Sequence, residues 1–344
     1  MLPDANLMNT SDILRQRLNN HKLSSSGLEN PADVVRWLGA VQAQDYGAAK
    51  WALALRMRNA THAQIEEAFN KGRILRTHLL RPTWHFVAPE DIRWLLELTA
   101  PQINRRCDGA YRRYELDTTV FKRSHKVLTN ALRGGKYLTR AALKAALNKA
   151  GIVADDTVRM AHILLRAELD GVVCSGPRID KQFTYALFEE RVPPTKPLPR
   201  EEALAKLTRI YFTSHGPATL QDFVWWSGLT TADARRAMEL TELPWSTQSP
   251  NRIENPCHLL PAFDEYFVAY KERATIDGLN NWDVLGPTII INGKVVGTWK
   301  RDATKINLNI LRSLNKSEQR ALTKAAERYA EFLQIRGSTE KFRA

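Results

Sequence analysis

The 344-residue chain carries 50 Lys and Arg against 37 Asp and Glu, a formal net charge of +13, with 44% hydrophobic and 25% charged residues. That composition is ordinary for a globular protein and excludes the disordered, collagen-like and coiled-coil classes. No apolar run approaches the roughly 20 residues of a membrane span, and the N-terminus lacks a basic-then-apolar export pattern, so a cytoplasmic protein with a polyanionic partner is expected. The length suggests two or three domains. Cys107, Cys174 and Cys257 are far apart, with no CxxC or CxxH pair, and the histidines form no HExxH. Neither a disulfide framework nor a metal site is expected.

The predicted elements repeat along the chain. Residues 12–21, 32–41 and 63–71 read as helices, the last opened by Thr61 with Gln64 three residues on, a capping-box spacing. Two strand-like runs, 74–80 and 83–88, follow, broken around Arg81-Pro82. Helix, helix, helix, hairpin is the order of a winged helix. It recurs with helices at 120–132, 140–149 and 158–169, the second behind Thr139 as a cap. Strands at 171–175 and 182–188 follow, around a Gly-Pro-Arg tip that ends in Arg178. Pro193, Pro194, Pro197 and Pro199 mark a linker. Helices at 201–212, 220–226 and 232–240, then strands at 258–260 and 266–269, make a third unit. Residues 288–291 and 294–299 form a hairpin around Asn292-Gly293, the pair suited to a type I′ turn. A basic amphipathic helix, 317–333, closes the chain. The expected fold is mainly α with small β wings, divided 1–100, 101–192, 193–283 and 284–344.

The positive charge is concentrated. Between residues 104 and 149, twelve Lys and Arg face three acids, and they include Arg105, Arg106, Arg112, Arg113, Lys122, Arg123 and Lys126. From 297 to 344, eleven basic residues, Lys300 and Arg301 among them, face five acids. Such clusters are the footprint of a phosphate-tracking surface; the alternative is a set of solvated helix faces. Arg178 at its wing tip and Arg81 at its bend are placed to meet phosphates. Helix 63–71, which would enter the major groove of the first unit, carries Glu66 and Glu67 and suits that role poorly.

Four strings carry a resemblance. Gly39-Ala-Val-Gln-Ala-Gln44, Arg76-Thr-His-Leu-Leu-Arg-Pro-Thr-Trp-His-Phe-Val87, His258-Leu-Leu-Pro-Ala-Phe-Asp-Glu-Tyr-Phe-Val-Ala-Tyr-Lys-Glu-Arg273 and Val296-Gly-Thr-Trp-Lys-Arg301 stand in one order over most of the chain. They resemble the winged-helix DNA-binding family of AlkZ/YcaQ-type DNA glycosylases. The resemblance implies three tandem winged helices in a C-shaped arrangement on duplex DNA. It also implies a Gln-x-Gln catalytic motif at Gln42 and Gln44. That branch of the family is associated with unhooking bulky or crosslinking N7-alkylguanine adducts by N-glycosidic hydrolysis, without a Schiff base and without a cofactor. A monomer associated with the nucleoid is expected. The competing readings are a non-catalytic winged-helix regulator and a winged-helix protein-interaction module.

Two neutral amides suit this chemistry. Glycosidic hydrolysis ordinarily needs an acid for the leaving group and a base for water. An N7-alkylated guanine already carries positive charge and leaves as a neutral base, so what remains is placing water and stabilising an oxocarbenium-like sugar. A glutamine brings one carbonyl acceptor and two N–H donors to that task. Two residues apart, Gln42 and Gln44 diverge on a helix but share a side of an extended chain; the helix must therefore end by about Val41. Asp45 is the nearby carboxylate that could serve as base. His85 reads either as a hydrogen-bonded core histidine or as a group near the lesion. Trp51 and Trp84 read as packing, and Asp264, Glu265 and Tyr266 as structural. The hairpin that would probe the minor groove has no assignment.

Overall fold

The computed structural model describes residues 9–24, 27–241, 256–273, 285–302 and 305–334. Helix α1 (Thr10–Asn20) starts on Asn9, whose side chain accepts from the Asp12 amide, and α2 (Pro31–Leu38) starts on Asn30 with proline at its first position. Proline suits that position because its missing N–H has no partner within the helix. The helix expected over 32–41 stops at Leu38 because Gly39 turns the chain at φ +80°, where a Cβ would meet Ile210 at 2.8 Å. The chain then runs extended as β1 (Val41–Gln42).

Asp45 caps α3 (Tyr46–Leu55) by accepting from the Ala48 amide. The local pattern does not announce this helix, since Asp45-Tyr46-Gly47 reads as a break; the same residues end the strand and begin a helix. The expected capping box opens α4 (His62–Asn70). Strands β2 (Leu75–Leu79) and β3 (Thr83–Val87) pair antiparallel, and β1 adds to β3, giving the order β1-β3-β2.

Helix α5 (Ile92–Arg113) carries Pro101 in its interior, which hides it from local prediction. Its buried stripe, including Leu95, Leu98, Ile103, Cys107 and Tyr111, joins the larger core and outweighs one missing hydrogen bond. Then come α6 (Thr118–Leu132), β4 (Leu138–Thr139), α7 (Arg140–Lys149), α8 (Thr157–Leu169), β5 (Val173–Ser175) and β6 (Thr184–Leu187). The order β4-β6-β5 repeats that of the first sheet. Helix, strand, helix, helix, strand, strand with the same pairing thus occurs twice.

After α9 (Phe188–Arg191) the prolines keep 193–199 free of regular structure, and α10 (Arg200–His215), α11 (Leu220–Ser227) and α12 (Thr231–Glu239) follow. Beyond β7 (Cys257–Leu260), the strand expected at 266–269 is instead the helical turn α13 (Glu265–Val268). Asp264 reverses the chain there by accepting from the Tyr266 amide at 2.9 Å. Strands β8 (Thr288–Ile291) and β9 (Lys294–Asp302) join through Asn292 and Gly293, both at positive φ as the type I′ signal requires. Strand β10 (Lys305–Ile310), not expected, pairs on β9, and α14 (Lys316–Phe332) closes the described chain.

The last sheet has the order β10-β9-β8-β7, so the expected boundary between 283 and 284 falls between two strands that pair. One apolar cluster joins α5–α8 to α10–α12. A second joins the first unit to β7–β9 and α14, and in it Trp51 donates Nε1–H to the Leu259 carbonyl at 2.6 Å. The N-terminal unit therefore lies between the two, and β1 carries Gln42 at that junction.

Candidate active site

Gln42 and Gln44 leave the end of β1 at the junction of three segments distant in sequence. Gln42 pairs with His85 on β3, and the ladder continues one residue further through the Ala43 amide to the Trp84 carbonyl at 2.7 Å. The helix has thus ended before the motif, as cooperation of the two amides requires. Gln42 is 9% exposed, whereas Gln44 is exposed. Gln44 Oε1 accepts from the Trp84 amide at a long 3.4 Å, and the Ala43 carbonyl accepts from Arg76 Nε at 2.9 Å.

Glu265 lies behind the motif. Its Oε1 accepts the Gln42 backbone N–H at 2.7 Å, its Oε2 accepts Trp226 Nε1–H at 3.1 Å, and His215 Nε2 stands 3.7 Å from Oε2. Burial raises the carboxyl's pKa, but His215 and the Gln42 amide outweigh it and hold the group below the usual carboxylate range. The neighbouring Asp264 anchors this arrangement through a two-point pair with Arg56 at 2.7 and 3.0 Å, both side chains fully buried. Sequence alone gives these acids only a structural role. The structure brings Glu265 into contact with the motif, and no local signal announces it.

Arg81 flanks Gln42 on another side. The left-handed Leu80 (φ +58°) sets the bend between β2 and β3. Arg81 then donates Nη2–H to Gln42 Oε1 at 2.9 Å and Nη1–H to the Trp225 and Trp226 carbonyls at 3.3 and 3.4 Å. The sequence places Arg81 at a phosphate; its guanidinium is instead directed into the protein. Two further cations gather here. Arg106 donates to the Gly228 carbonyl at 3.2 Å, and Arg273 lies 5.3 Å from the ring of the exposed Trp225. Gly228 is required because a Cβ there would stand 2.1 Å from the Leu80 carbonyl oxygen.

The two auxiliary candidates take structural positions. Asp45 is engaged as the α3 cap at 2.9 Å. His85 is fully buried, and burial with the Arg81 charge pushes its pKa down to about 3, so the ring is neutral. Its Nδ1–H donates to the Thr83 carbonyl at 2.9 Å, and Nε2 is buried without a partner among the described residues.

Among the expected phosphate ligands, Arg105, Arg112, Arg113, Lys122 and Lys126 project exposed from α5 and α6. Arg123 is exposed and donates to the Ala150 carbonyl at 3.2 Å. Lys300 and Arg301 are exposed on β9. Arg178 differs: it pairs with Glu66 at 3.1 Å and donates to the Lys181 carbonyl. Glu66 also binds the buried Lys50 at 2.6 Å. Glu66, one of the two acids that argue against groove entry by α4, is thus neutralised within the protein. An open cleft of about 570 Å³ is lined by Trp84, Phe183, Tyr185, Arg76, Arg140 and Lys144, among others; Trp84 and Arg76, which hydrogen-bond to Gln44 and Ala43, are its link to the motif. Among the described residues no three His, Cys, Asp or Glu gather to hold a metal ion, and no helix is long and apolar enough to cross a membrane.

The Gln-x-Gln pair thus stands at a strand end, backed by the buried Glu265 carboxylate and flanked by Arg81. The model of the DNA glycosylase AlkZ-like family matches residues 35–332. The chain belongs to the AlkZ-like DNA glycosylase family. Among curated proteins it is similar to an interstrand DNA cross-link repair glycosylase of Streptomyces sahachiroi, with 24% identity covering 78% of this chain and 81% of that protein. Among solved structures it is similar to the Streptomyces sahachiroi DNA glycosylase AlkZ. The TM-score is 0.78 at 18% identity, covering 94% of this chain and 96% of that one, which establishes the shared fold. An AlkZ-like protein is an enzyme of the DNA glycosylase class, and DNA is its substrate.

Proposed function

We propose that this AlkZ-like protein hydrolyses the N-glycosidic bond of bulky or crosslinking N7-alkylated purines in duplex DNA, with Gln42 and Gln44 as the catalytic pair. The observation that carries the reading is the absence, among the described residues at the motif, of a group able to protonate a leaving base. His85 is neutral with a pKa of about 3, Asp45 caps a helix, and Glu265 is held ionised beneath the Gln42 backbone. Such a site suits a base that departs without protonation. In the N7-alkylated purine the C1′–N9 electron pair passes to the base, which already carries positive charge and leaves neutral. Water oxygen bonds to C1′ and its proton passes to solvent. The products are the free base and an abasic site.

Arg105, Arg112, Arg113, Lys122 and Lys126 would track the DNA backbone, and the open cleft lined by Trp84 and Arg76 admits a bulky adduct without a closed pocket. The protein acts as a monomer at the nucleoid, with winged-helix units over 1–100 and 101–192 and a C-terminal part, 193–344, in which the β7–β8 pairing spans the expected 283/284 boundary.

The test is incubation with duplex carrying N7-methylguanine or a nitrogen-mustard crosslink. Alkali-labile sites form, no covalent adduct is trapped by borohydride, and activity is lost in Gln42→Ala and Gln44→Ala. Absence of base release from both substrates overturns the substrate reading.

A further inference from the structure

We propose that Arg81 is a positioning residue that fixes the Gln42 carboxamide carbonyl-inward, so that Gln42 meets the substrate as a hydrogen-bond donor and Gln44 is left to hold the water. This role rests on the glycosylase reading for the substrate, and on geometry alone for the amide. A guanidinium has five N–H donors and no acceptor. Whichever way a glutamine amide is drawn, the end that faces Arg81 at 2.9 Å is its carbonyl. Arg81 cannot swing away cheaply. Its other amino group is held by the carbonyls of Trp225 and Trp226 in the last turn of α11, the negative end of that helix.

The Gln42 backbone is held independently by Glu265 at 2.7 Å and by the β1–β3 ladder. With backbone and carbonyl both engaged, what remains of Gln42 is its Nε2 amide, the end turned away from Arg81. A cation on the carbonyl polarises the amide and strengthens those N–H donors. A departing purine gains electron density as C1′–N9 breaks, so a donor aimed at its acceptor atoms stabilises the transition state more than the ground state. Gln44 Oε1, engaged among the described residues by nothing closer than the Trp84 amide at 3.4 Å, is the acceptor available to water.

The experiment compares Gln42→Glu, Arg81→Met and the pair Gln42→Ala/Arg81→Met. Gln42→Glu keeps an oxygen for Arg81 but removes both donors. It is expected to fold as well as wild type and to lose at least 100-fold in single-turnover excision; retention within about threefold overturns the proposal. Arg81→Met is expected to lower the single-turnover rate at saturating enzyme about 10- to 100-fold, with duplex affinity and its salt slope unchanged. A phosphate ligand would do the reverse, weakening binding and reducing the slope by about one with the rate intact, and that result overturns the proposal. In the Gln42→Ala background the Arg81 change is expected to add nothing. The Gln42 side-chain amide resonances, assigned by their loss in Gln42→Ala, provide the readout independent of excision. They should shift in Arg81→Met, and an unmoved pair overturns the positioning even in an active enzyme. Wild type that releases no base while the resonances respond sinks the excision reading and leaves the positioning intact.

Discussion

Glu265 and Gln42, 223 residues apart in sequence, are joined by a 2.7 Å hydrogen bond from the Gln42 backbone amide to a fully buried carboxylate. Glu265→Gln leaves one carbonyl oxygen for two donors, since Trp226 Nε1–H also points there. One buried N–H then loses its acceptor, which costs about 1–3 kcal/mol. Denaturant unfolding should show a lowered midpoint at unchanged slope, with excision lowered as the Gln42 backbone shifts.

The Arg56–Asp264 pair places Glu265 by fixing the start of α13. Arg56→Met strands a buried carboxylate, and removal of one partner of such a pair costs about 3–5 kcal/mol. Urea titration should show a loss of that order, larger than that of any surface arginine. A loss under about 1 kcal/mol would mean that the pair does not hold the junction.

Acid should weaken the fold in two windows. His85 and His258 are each pushed to about 3 by burial. Below their ordinary value of about 6.5 the unfolded chain binds protons that the native state does not, so stability falls as pH drops from 6.5 toward 3. Each contributes about 2 kcal/mol of loss by pH 5. Glu265, depressed in the native state, adds stability above its ordinary value that is lost as pH falls through its lowered one. Melting from pH 7 to 5 should show a decline that His85→Gln makes shallower, and an unchanged slope in that variant would refute the buried neutral histidine.

Exposed and engaged arginines should behave differently toward DNA. Replacing Lys122 or Arg113 by Ala should reduce the salt slope of duplex binding by about 0.9 for each phosphate left without its cation. Arg178→Ala removes one of the two cations paired with Glu66 and should lower the melting temperature while leaving the slope unchanged. Binding measured at several salt concentrations separates the two.

Local signals are readable wherever one residue's own chemistry decides the backbone. The Thr61–Gln64 capping box, the Thr139 cap, the Asn292-Gly293 turn and the proline segment all lie where the sequence places them. Three elements depart from the expected pattern, α5 because packing overrides local preference, and α3 and α13 because an aspartate caps a helix where none is expected. Pro101 sits within α5, whose apolar stripe is buried; Asp45 starts a helix where a break is expected; and Asp264 turns a strand-like run into α13. Basic side chains illustrate the same limit. Arg81 and Arg178 look like phosphate ligands from their positions at bends, but their partners, Gln42 and Glu66, come from other segments.

The sequence by itself determined the family, the Gln-x-Gln motif and the concentration of positive charge on two stretches, because these are properties of residue identity and spacing. The tertiary structure alone decided how the motif is held. Arg81, Glu265 and Trp226 reach Gln42 across separations of 39 residues or more, and Trp226 does so through Glu265. A hydrogen bond depends on angstrom-scale geometry between groups that the linear order leaves unrelated, so which end of a glutamine amide faces outward is settled only when the distant segments pack.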